Sequence, residues 1–186
     1  MLQFDEDIHT YTLDGKVLPS VTKLLVAEGF VDTTWFTEWS REKGGYVHLA
    51  CHLEDINDLD ESTLDPLLIP YLEAYRAFKR DSNFIVESSE VPLASEAYQF
   101  AGTPDKVGKL NGSPAIIDIK SGLVSPVVGL QLAFYEILTY RPHKRFGLQL
   151  TADGKYKLIP FTGRQDRNLC LSILAVYFWK SNNLRR

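Results

Sequence analysis

Ile116-Ile117-Asp118-Ile119-Lys120 is an apolar run that holds one acid and one base, and the turn Asn111-Gly112 precedes it. Side chains alternate between the two faces of a strand, so Asp118 and Lys120 should share one face at the sheet surface while the flanking isoleucines point into the core. An Asn-Gly pair is a strong hairpin signal. We therefore expect Asp105, upstream of the turn, to lie beside this strand.

Two carboxylates and a backbone carbonyl are hard oxygen ligands of the kind that Mg²⁺ or Mn²⁺ prefers. Asp105, Asp118 and the Ile119 carbonyl could supply them, with His48 completing the metal shell. A metal in this position activates water and neutralises charge on a phosphate. Lys120 would position or help deprotonate the attacking water and stabilise negative charge on phosphorus. The opposing interpretation is a solvated surface ion pair, which would contribute little.

The composition is that of an ordinary soluble globular protein. The 186 residues fit one domain, with 45% apolar and 24% charged residues. The 20 Lys and Arg against 24 Asp and Glu give a net charge of −4, which argues mildly against indiscriminate nucleic-acid binding. Metal-binding carboxylates would add to such an acidic balance, so a nuclease is not excluded.

Cys51 and Cys170 are too few for a disulfide framework or a four-cysteine cluster. His48, Cys51 and His52 share one helical face, which leaves a zinc site open, but no second Cys/His pair supplies the rest of a closed shell. The acidic first six residues lack the apolar segment of a signal peptide, and no apolar run matches a membrane span. We therefore expect a soluble cytosolic protein with no membrane partner.

The order of elements predicts an α/β fold, with a central mixed sheet flanked by helices behind an N-terminal hairpin and helical segment. We expect one domain over 1–186, in which residues 1–82 form the hairpin and front helices, 83–162 the core sheet with a helix, and 163–186 the closing helix. Strands are predicted at 4–11, 16–18, 84–93, 98–107, 115–120, 145–150 and 156–160. Helices are predicted at 21–27, on both sides of Gly44-Gly45, and at 65–80, 127–139 and 164–179.

Several motifs in this order resemble the PD-(D/E)XK nuclease superfamily, and within it the RecB-type exonuclease branch. They are Gly45-Tyr46-Val47-His48, Gly102-Thr103-Pro104-Asp105, Asp118-Ile119-Lys120 and Gln131-x-x-x-Tyr135. The opening Leu18-Pro19-Ser20-Val21-Thr22 is similar to phage and prophage members of that branch. The resemblance spans roughly residues 4–140 and implies a restriction-endonuclease-like core.

The resemblance assigns His48, Asp105 and Asp118 as metal ligands and Lys120 as the catalytic lysine. Gln131 and Tyr135 would support the site or contact DNA, and Ser20 and Thr22 would lie near the nucleic-acid path. Phage relatives place a glutamate four residues after the motif histidine, where this chain has His52. Glu54 and Glu90 are the two candidates to replace that glutamate.

The sequence thus predicts a metal-dependent deoxyribonuclease, more an exonuclease than an endonuclease, acting on single strands or duplex ends in phage or bacterial recombination or repair. A homo-oligomer or a recombination partner protein fits this prediction. Two alternatives stay open: a catalytically silent nucleic-acid-binding accessory of the same fold, and an α/β domain whose quartet forms surface ion pairs. We also expect DNA contacts from front-segment aromatics and nearby cations. They are Trp35, Phe36, Trp39, Tyr46, Lys23, Arg41, Lys43 and Lys106, with Lys180, Arg185 and Arg186 at the end of the chain.

Overall fold

The computed structural model describes residues 1–6, 8–32 and 37–184. The predicted contacts of Trp35, Phe36, Arg185 and Arg186 lie outside these residues. The described strands are β1 (Leu2–Asp5), β2 (Thr10–Leu13), β3 (Lys16–Leu18), β4 (Phe84–Ser89), β5 (Leu93–Ser95), β6 (Phe100–Gly102), β7 (Lys106–Leu110), β8 (Ser113–Lys120), β9 (Lys144–Leu150) and β10 (Tyr156–Phe161). The helices are α1 (Val21–Ala27), α2 (Glu38–Asp55), α3 (Ile69–Ser82), α4 (Val127–Leu138) and α5 (Asp166–Asn183), with a 3-10 turn at Glu61–Thr63.

A five-stranded mixed sheet in the order β10-β9-β8-β7-β4 forms the centre, and this confirms the predicted fold class. The pairs β4–β7, β7–β8 and β9–β10 are antiparallel, whereas β8 and β9 are parallel because α4 connects them as a crossover. Strands β1–β3 form a separate three-stranded sheet, and β5 pairs with β6. Among the described residues, no helix has both the length and the apolar character needed to cross a membrane.

Both faces of the central sheet are covered. Ile116 packs in a core formed with α1, α4 and α5, whereas Ile117 and Ile119 pack on the other face against residues of α2 and α3. A central strand covered on both sides has no solvent-exposed face. The expectation that Asp118 lies at the sheet surface is therefore wrong, and this carboxylate is fully buried.

Turn chemistry explains the hairpins that the sequence predicts. Asp14-Gly15 joins β2 to β3 and Asn111-Gly112 joins β7 to β8, and all four residues have positive φ between 48° and 80°. Two consecutive positive φ values define the turn that matches the twist of paired strands. The predicted strand at 4–11 is instead two strands, β1 and β2, paired with each other.

The front helices differ from prediction in two places. Residues 38–55 form one continuous helix through Gly44-Gly45, because neither glycine adopts a positive φ and Thr37 caps its first turn by accepting from Ser40 N. Asp65-Pro66 does not begin α3, which starts at Ile69. The prediction of Ser20 as the cap of α1 is confirmed, since its hydroxyl accepts from Lys23 N at 3.1 Å.

Candidate metal and catalytic site

The β7–β8 hairpin fixes one half of the site. Lys106 pairs with Ile117 in antiparallel register, so Asp105, one residue before β7, reaches the level of Asp118 and Ile119. Asp105 Oδ2 accepts a hydrogen bond of 2.6 Å from the Ile119 amide. The expectation that the turn folds Asp105 back against this strand is confirmed, and the hydrogen bond holds its carboxylate in place.

Two further side chains reach the same point from other elements. His48, on α2, lies with Nδ1 3.4 Å from Asp105 Oδ2 and 3.6 Å from Glu90 Oε1. Glu90 follows β4 with a φ of +53°, and its amide donates to the Asp105 carbonyl at 3.0 Å. One ligand atom from each of the three residues lies within 4.8 Å of the others, a grouping that could hold a metal ion.

Asp118 and Lys120 complete the charged cluster. Lys120 Nζ approaches Asp118 Oδ2 at 2.5 Å, as an ion pair without the direction of a regular hydrogen bond. Asp118 Oδ1 is buried and has no hydrogen-bond partner among the described residues. A buried carboxylate oxygen without a partner is costly, because desolvation is not repaid by any bond. Such an oxygen is suited to receive a cation.

Burial and neighbouring charge act in opposite directions on this pair. Burial raises the pKa of Asp118 to about 6, since the attraction of Lys120 offsets desolvation only in part and Asp105 adds repulsion. Burial alone would lower the pKa of Lys120, but the charges of Asp118 and Asp105 outweigh it and raise that pKa. The lysine is therefore held as an ammonium.

The same balance sets the charge of the other three ligand candidates. Burial lowers the pKa of His48, but the charge and hydrogen bond of Asp105, helped by Glu90, raise it to about 10. Burial would raise the pKa of Asp105, yet His48 and then Lys120 lower it below its usual range. Desolvation dominates at Glu90 and raises its pKa. Without a metal, a protonated His48 thus takes part of the role of a cation.

The donor set fits a hard divalent metal. Asp118 Oδ1 and Glu90 Oε1 are both buried without a hydrogen-bond partner among the described residues. Glu90, Asp105 and the imidazole of His48 form the group within 4.8 Å, and Asp118 is a further carboxylate that is not one of those three. Carboxylate and nitrogen ligands of this kind suit Mg²⁺ or Mn²⁺. The Ile119 residue is fully buried, with its amide bound to Asp105. The role predicted for its carbonyl stays a prediction.

Glu90, rather than Glu54, lies in the cluster. Glu54 accepts from Arg76 at 2.7 Å and 2.9 Å, within a group of ion pairs that also includes Glu61 and Glu73. Its carboxylate is therefore engaged away from His48. The sequence alone does not show which of the two glutamates lies in the cluster. The positive φ that turns Glu90 inward is not visible in a strand pattern.

The zinc alternative does not form. Cys51 is buried in the core with α3, and burial raises the pKa of its thiol to about 12, so it stays protonated. His52 Nδ1 instead lies 2.8 Å from the Ser89 hydroxyl. A metal binds the thiolate, not the thiol. The three residues thus share a helix without sharing a ligand site.

The supporting residues predicted from the sequence lie near the cluster. Gln131 Nε2 donates to the Tyr135 hydroxyl at 2.9 Å, and Tyr135 is buried. Burial, with added repulsion from Asp105 and Asp118, holds the pKa of Tyr135 well above 10. Ser20, Thr22 and Tyr135 line a cavity of about 550 Å³ that also borders His48, Glu90 and Asp105.

Lys106 is not a DNA-facing cation. Its side chain is fully buried, with Nζ 3.0 Å from Asp55 Oδ2 and 2.6 Å from the Ser89 hydroxyl. Asp55 also accepts 2.7 Å hydrogen bonds from Tyr75 and Lys79. This buried network lies directly behind the candidate site, since Lys106 follows Asp105 and Ser89 precedes Glu90. No sequence pattern signalled it.

The other cations and aromatics predicted to meet DNA have mixed positions. Trp39 and Tyr46 are exposed on α2, at 57% and 56%. Lys43 donates to the Tyr71 hydroxyl at 3.3 Å and lies over its ring. Lys180 pairs with Glu28 at 2.7 Å. Lys23 and Arg41 are exposed as well, so the accessible part of the predicted surface holds both aromatic and cationic side chains.

Comparison with known proteins gives a fold likeness only. No family model matches the sequence, and no curated protein matches it. A candidate exonuclease from Eubacterium rectale, of known crystal structure, matches with a TM-score of 0.52 at 12% identity, covering 88% of this chain and 79% of that one. A solved protein named SSO0001 matches with a TM-score of 0.39 at 15% identity, over 88% and 85% of the two chains.

Proposed function

We propose that this protein is a divalent-metal-dependent deoxyribonuclease of the PD-(D/E)XK type, in its RecB-like exonuclease branch. One observation carries the proposal: His48, Glu90 and Asp105 bring ligand atoms within 4.8 Å of one another, and the Asp118–Lys120 ion pair interacts electrostatically with them. One buried oxygen of Asp118 has no hydrogen-bond partner among the described residues. The fold shared with a candidate exonuclease supports it.

His48, Glu90, Asp105 and Asp118 would hold Mg²⁺ or Mn²⁺. The bound metal would activate a water molecule and neutralise charge on the scissile phosphate. The raised pKa of Lys120 favours an ammonium that stabilises developing negative charge, rather than a base that removes a proton from water. Gln131 holds the Tyr135 hydroxyl beside the site, where it could orient the phosphate or the attacking water.

The biological setting stays part of the proposal. We propose one nuclease domain over 1–186, with 1–82, 83–162 and 163–186 as its front, core and closing parts. It would act in the cytoplasm on single strands or duplex ends during phage or bacterial DNA recombination or repair. A homo-oligomer or a recombination partner protein is compatible with this role.

The decisive experiment is cleavage of end-labelled linear and circular DNA, single- and double-stranded, with Mg²⁺ or Mn²⁺. Wild type is compared with Lys120→Ala and with the matched control Lys155→Ala, whose lysine is exposed on the β9–β10 turn. Loss of linear DNA in wild type and control, but not in Lys120→Ala, is the expected result. Removing one electrostatic stabiliser typically lowers the rate about 100- to 1,000-fold.

The remaining outcomes discriminate between alternatives. Cutting of circles would make the protein an endonuclease. Binding of DNA without cleavage under either metal would favour the silent accessory. Equal activity of Lys120→Ala and wild type would contradict the proposed site.

A further inference from the structure

A cavity of about 550 Å³ opens beside the candidate metal site. His48, Glu90 and Asp105 form one part of its wall. Another part comes from the N-terminal sheet, which the proposed chemistry does not use. Pockets of about 300–1,000 Å³ typically hold one small molecule. The cavity therefore has the size of a subsite for one nucleoside beside the scissile phosphate. It is too small to be a channel for duplex DNA.

The wall on the N-terminal sheet is aromatic. Phe4 and Tyr11 stack with ring centroids 4.5 Å apart and planes inclined by 24°. The exposed His9 ring stands nearly perpendicular to both, at 88° and 86°. All three residues line the cavity, but Tyr11 is only 1% exposed, so Phe4 and His9 present the accessible ring surface and Tyr11 supports them from behind. Bases stack on such side chains whatever their sequence, because each base has a π face.

The charge of the cavity excludes a run of phosphates. Among the described residues that line it there is no lysine and no arginine, and Glu6 adds a carboxylate. A phosphate track needs cations along its length. The hydroxyls of Ser20 and Thr22 offer neutral hydrogen-bonding groups instead. These features suit an uncharged base and sugar whose single phosphate lies at the metal ligands.

We propose that this cavity binds the terminal, unpaired nucleoside of a DNA strand, with the base against Phe4 and His9. The inference deepens the proposed nuclease function and rests on it for the position of the phosphate. It makes the N-terminal sheet the element that selects a strand end. A base still paired in a duplex could not enter, since entry requires unstacking and unpairing.

The test compares two ligands that differ only by the base: 2′-deoxyadenosine 5′-monophosphate and 2-deoxyribose 5-phosphate, each titrated with Mg²⁺ by calorimetry. Wild type should bind the nucleotide at least about fivefold more tightly, the lower end of the effect of base stacking. His9→Asn should lower this ratio clearly towards one, because only the Phe4 ring remains accessible to the base. Asparagine tolerates the φ of +48° at this position, so the ring is lost without backbone strain.

The matched control is Tyr140→Asn. It makes the same kind of substitution at a position with a φ of +55°, after α4 and outside the cavity lining. The control should keep the wild-type ratio. A 2-aminopurine base at the end of a single strand gives a second signal, since stacking on the wall should quench its fluorescence in wild type and control but not in His9→Asn.

Cleavage of linear DNA is measured on the same preparations. Equal binding of the two ligands by an enzyme that cleaves DNA would overturn the nucleoside subsite and leave the nuclease function standing. A nucleotide preference lost in His9→Asn, in a protein that cleaves nothing, would retain the subsite and overturn the nuclease function. An unchanged preference in His9→Asn would overturn the role of the aromatic wall.

Discussion

Two clusters of buried charge lie on opposite sides of the same strands, and they differ in how well their carboxylates are satisfied. Behind the sheet, the Asp55 carboxylate accepts hydrogen bonds from Tyr75 and Lys79 and forms an ion pair with Lys106, at 2.7–3.0 Å. In front, Asp118 has one ion-pair partner and an oxygen without any among the described residues. Adjacent residues belong to both, because neighbours along a strand face opposite sides.

The difference separates a structural network from a candidate ligand site. A buried charge that is fully paired stabilises the native geometry only while every partner remains. A buried charge that lacks partners destabilises the free protein and gains on binding a cation. Composition does not distinguish the two, since each cluster contains a carboxylate and a lysine.

Replacing one aspartate in each cluster should give opposite results, and this is the largest expected effect. Asp55→Asn leaves Lys106 buried without its counter-ion and should lower the free energy of unfolding by about 3–5 kcal/mol. Asp118→Asn removes a destabilised charge and should leave the metal-free protein as stable as wild type or more so. Urea unfolding in EDTA measures both. Similar losses in the two variants would show that Asp118 is satisfied like Asp55.

The stability difference between wild type and Asp118→Asn should depend on pH in one direction. A carboxyl whose pKa is raised by folding binds more protons in the folded state, so its cost appears as pH rises through 3.8 towards about 6. The full cost is present above that window and amounts to about 3 kcal/mol. Metal-free unfolding of both proteins from pH 4 to pH 8 checks this. If the stability difference between the two proteins does not change with pH, the pKa of Asp118 is not raised by folding.

Metal binding should release protons. The pKa of His48 is raised to about 10 by Asp105 and Glu90, so at neutral pH a ligand-competent imidazole requires loss of a proton. Mn²⁺ affinity should therefore rise between pH 6 and pH 8, by up to about tenfold per pH unit for one proton released. Calorimetry in buffers of different ionisation enthalpy counts the protons. Release of none would mean that His48 is not a ligand.

The smallest effects should separate Glu90 from Glu54. Glu90→Gln removes a ligand candidate and should weaken metal binding about 10- to 100-fold, by comparison with the loss of residues that merely support ligands. Glu54→Gln disturbs ion pairs around Arg76 that are partly exposed and should change stability by about 1 kcal/mol or less, with metal affinity unchanged. Metal titration of both variants decides. Equal affinities would remove Glu90 from the shell.

Local rules predicted the parts of the molecule that depend on neighbours in sequence. The turn Asn111-Gly112 and the alternation in β8 were enough to bring Asp105, Asp118 and Lys120 together. Ser20 was predicted as a cap for the same reason. The same pattern wrongly predicts that the carboxylate of Asp118 lies at the surface, because alternation along a strand does not show that helices cover both faces of the sheet.

Features that depend on distant partners could not be predicted in this way. In the sequence, Lys106 cannot be distinguished from an exposed lysine. It is buried because α2 places Asp55 against it. Cys51 and His52 have the spacing of zinc ligands. In the structure, however, Cys51 is buried in the core and His52 contacts the Ser89 hydroxyl. The inward turn of Glu90 depends on its hydrogen bond to the Asp105 carbonyl. Each of these contacts joins residues that a local window does not contain.

The parallel pairing of β8 with β9 delays the completion of the proposed site during synthesis. His48 emerges early, and the β7–β8 hairpin can close within about 1–10 μs once its residues are available. The strand that carries Asp118 is nevertheless central, and its second edge is covered only after α4 and Lys144–Leu150 have been made. A nascent chain that ends before β9 should therefore be inert towards DNA, although it already contains every ligand of the proposed site.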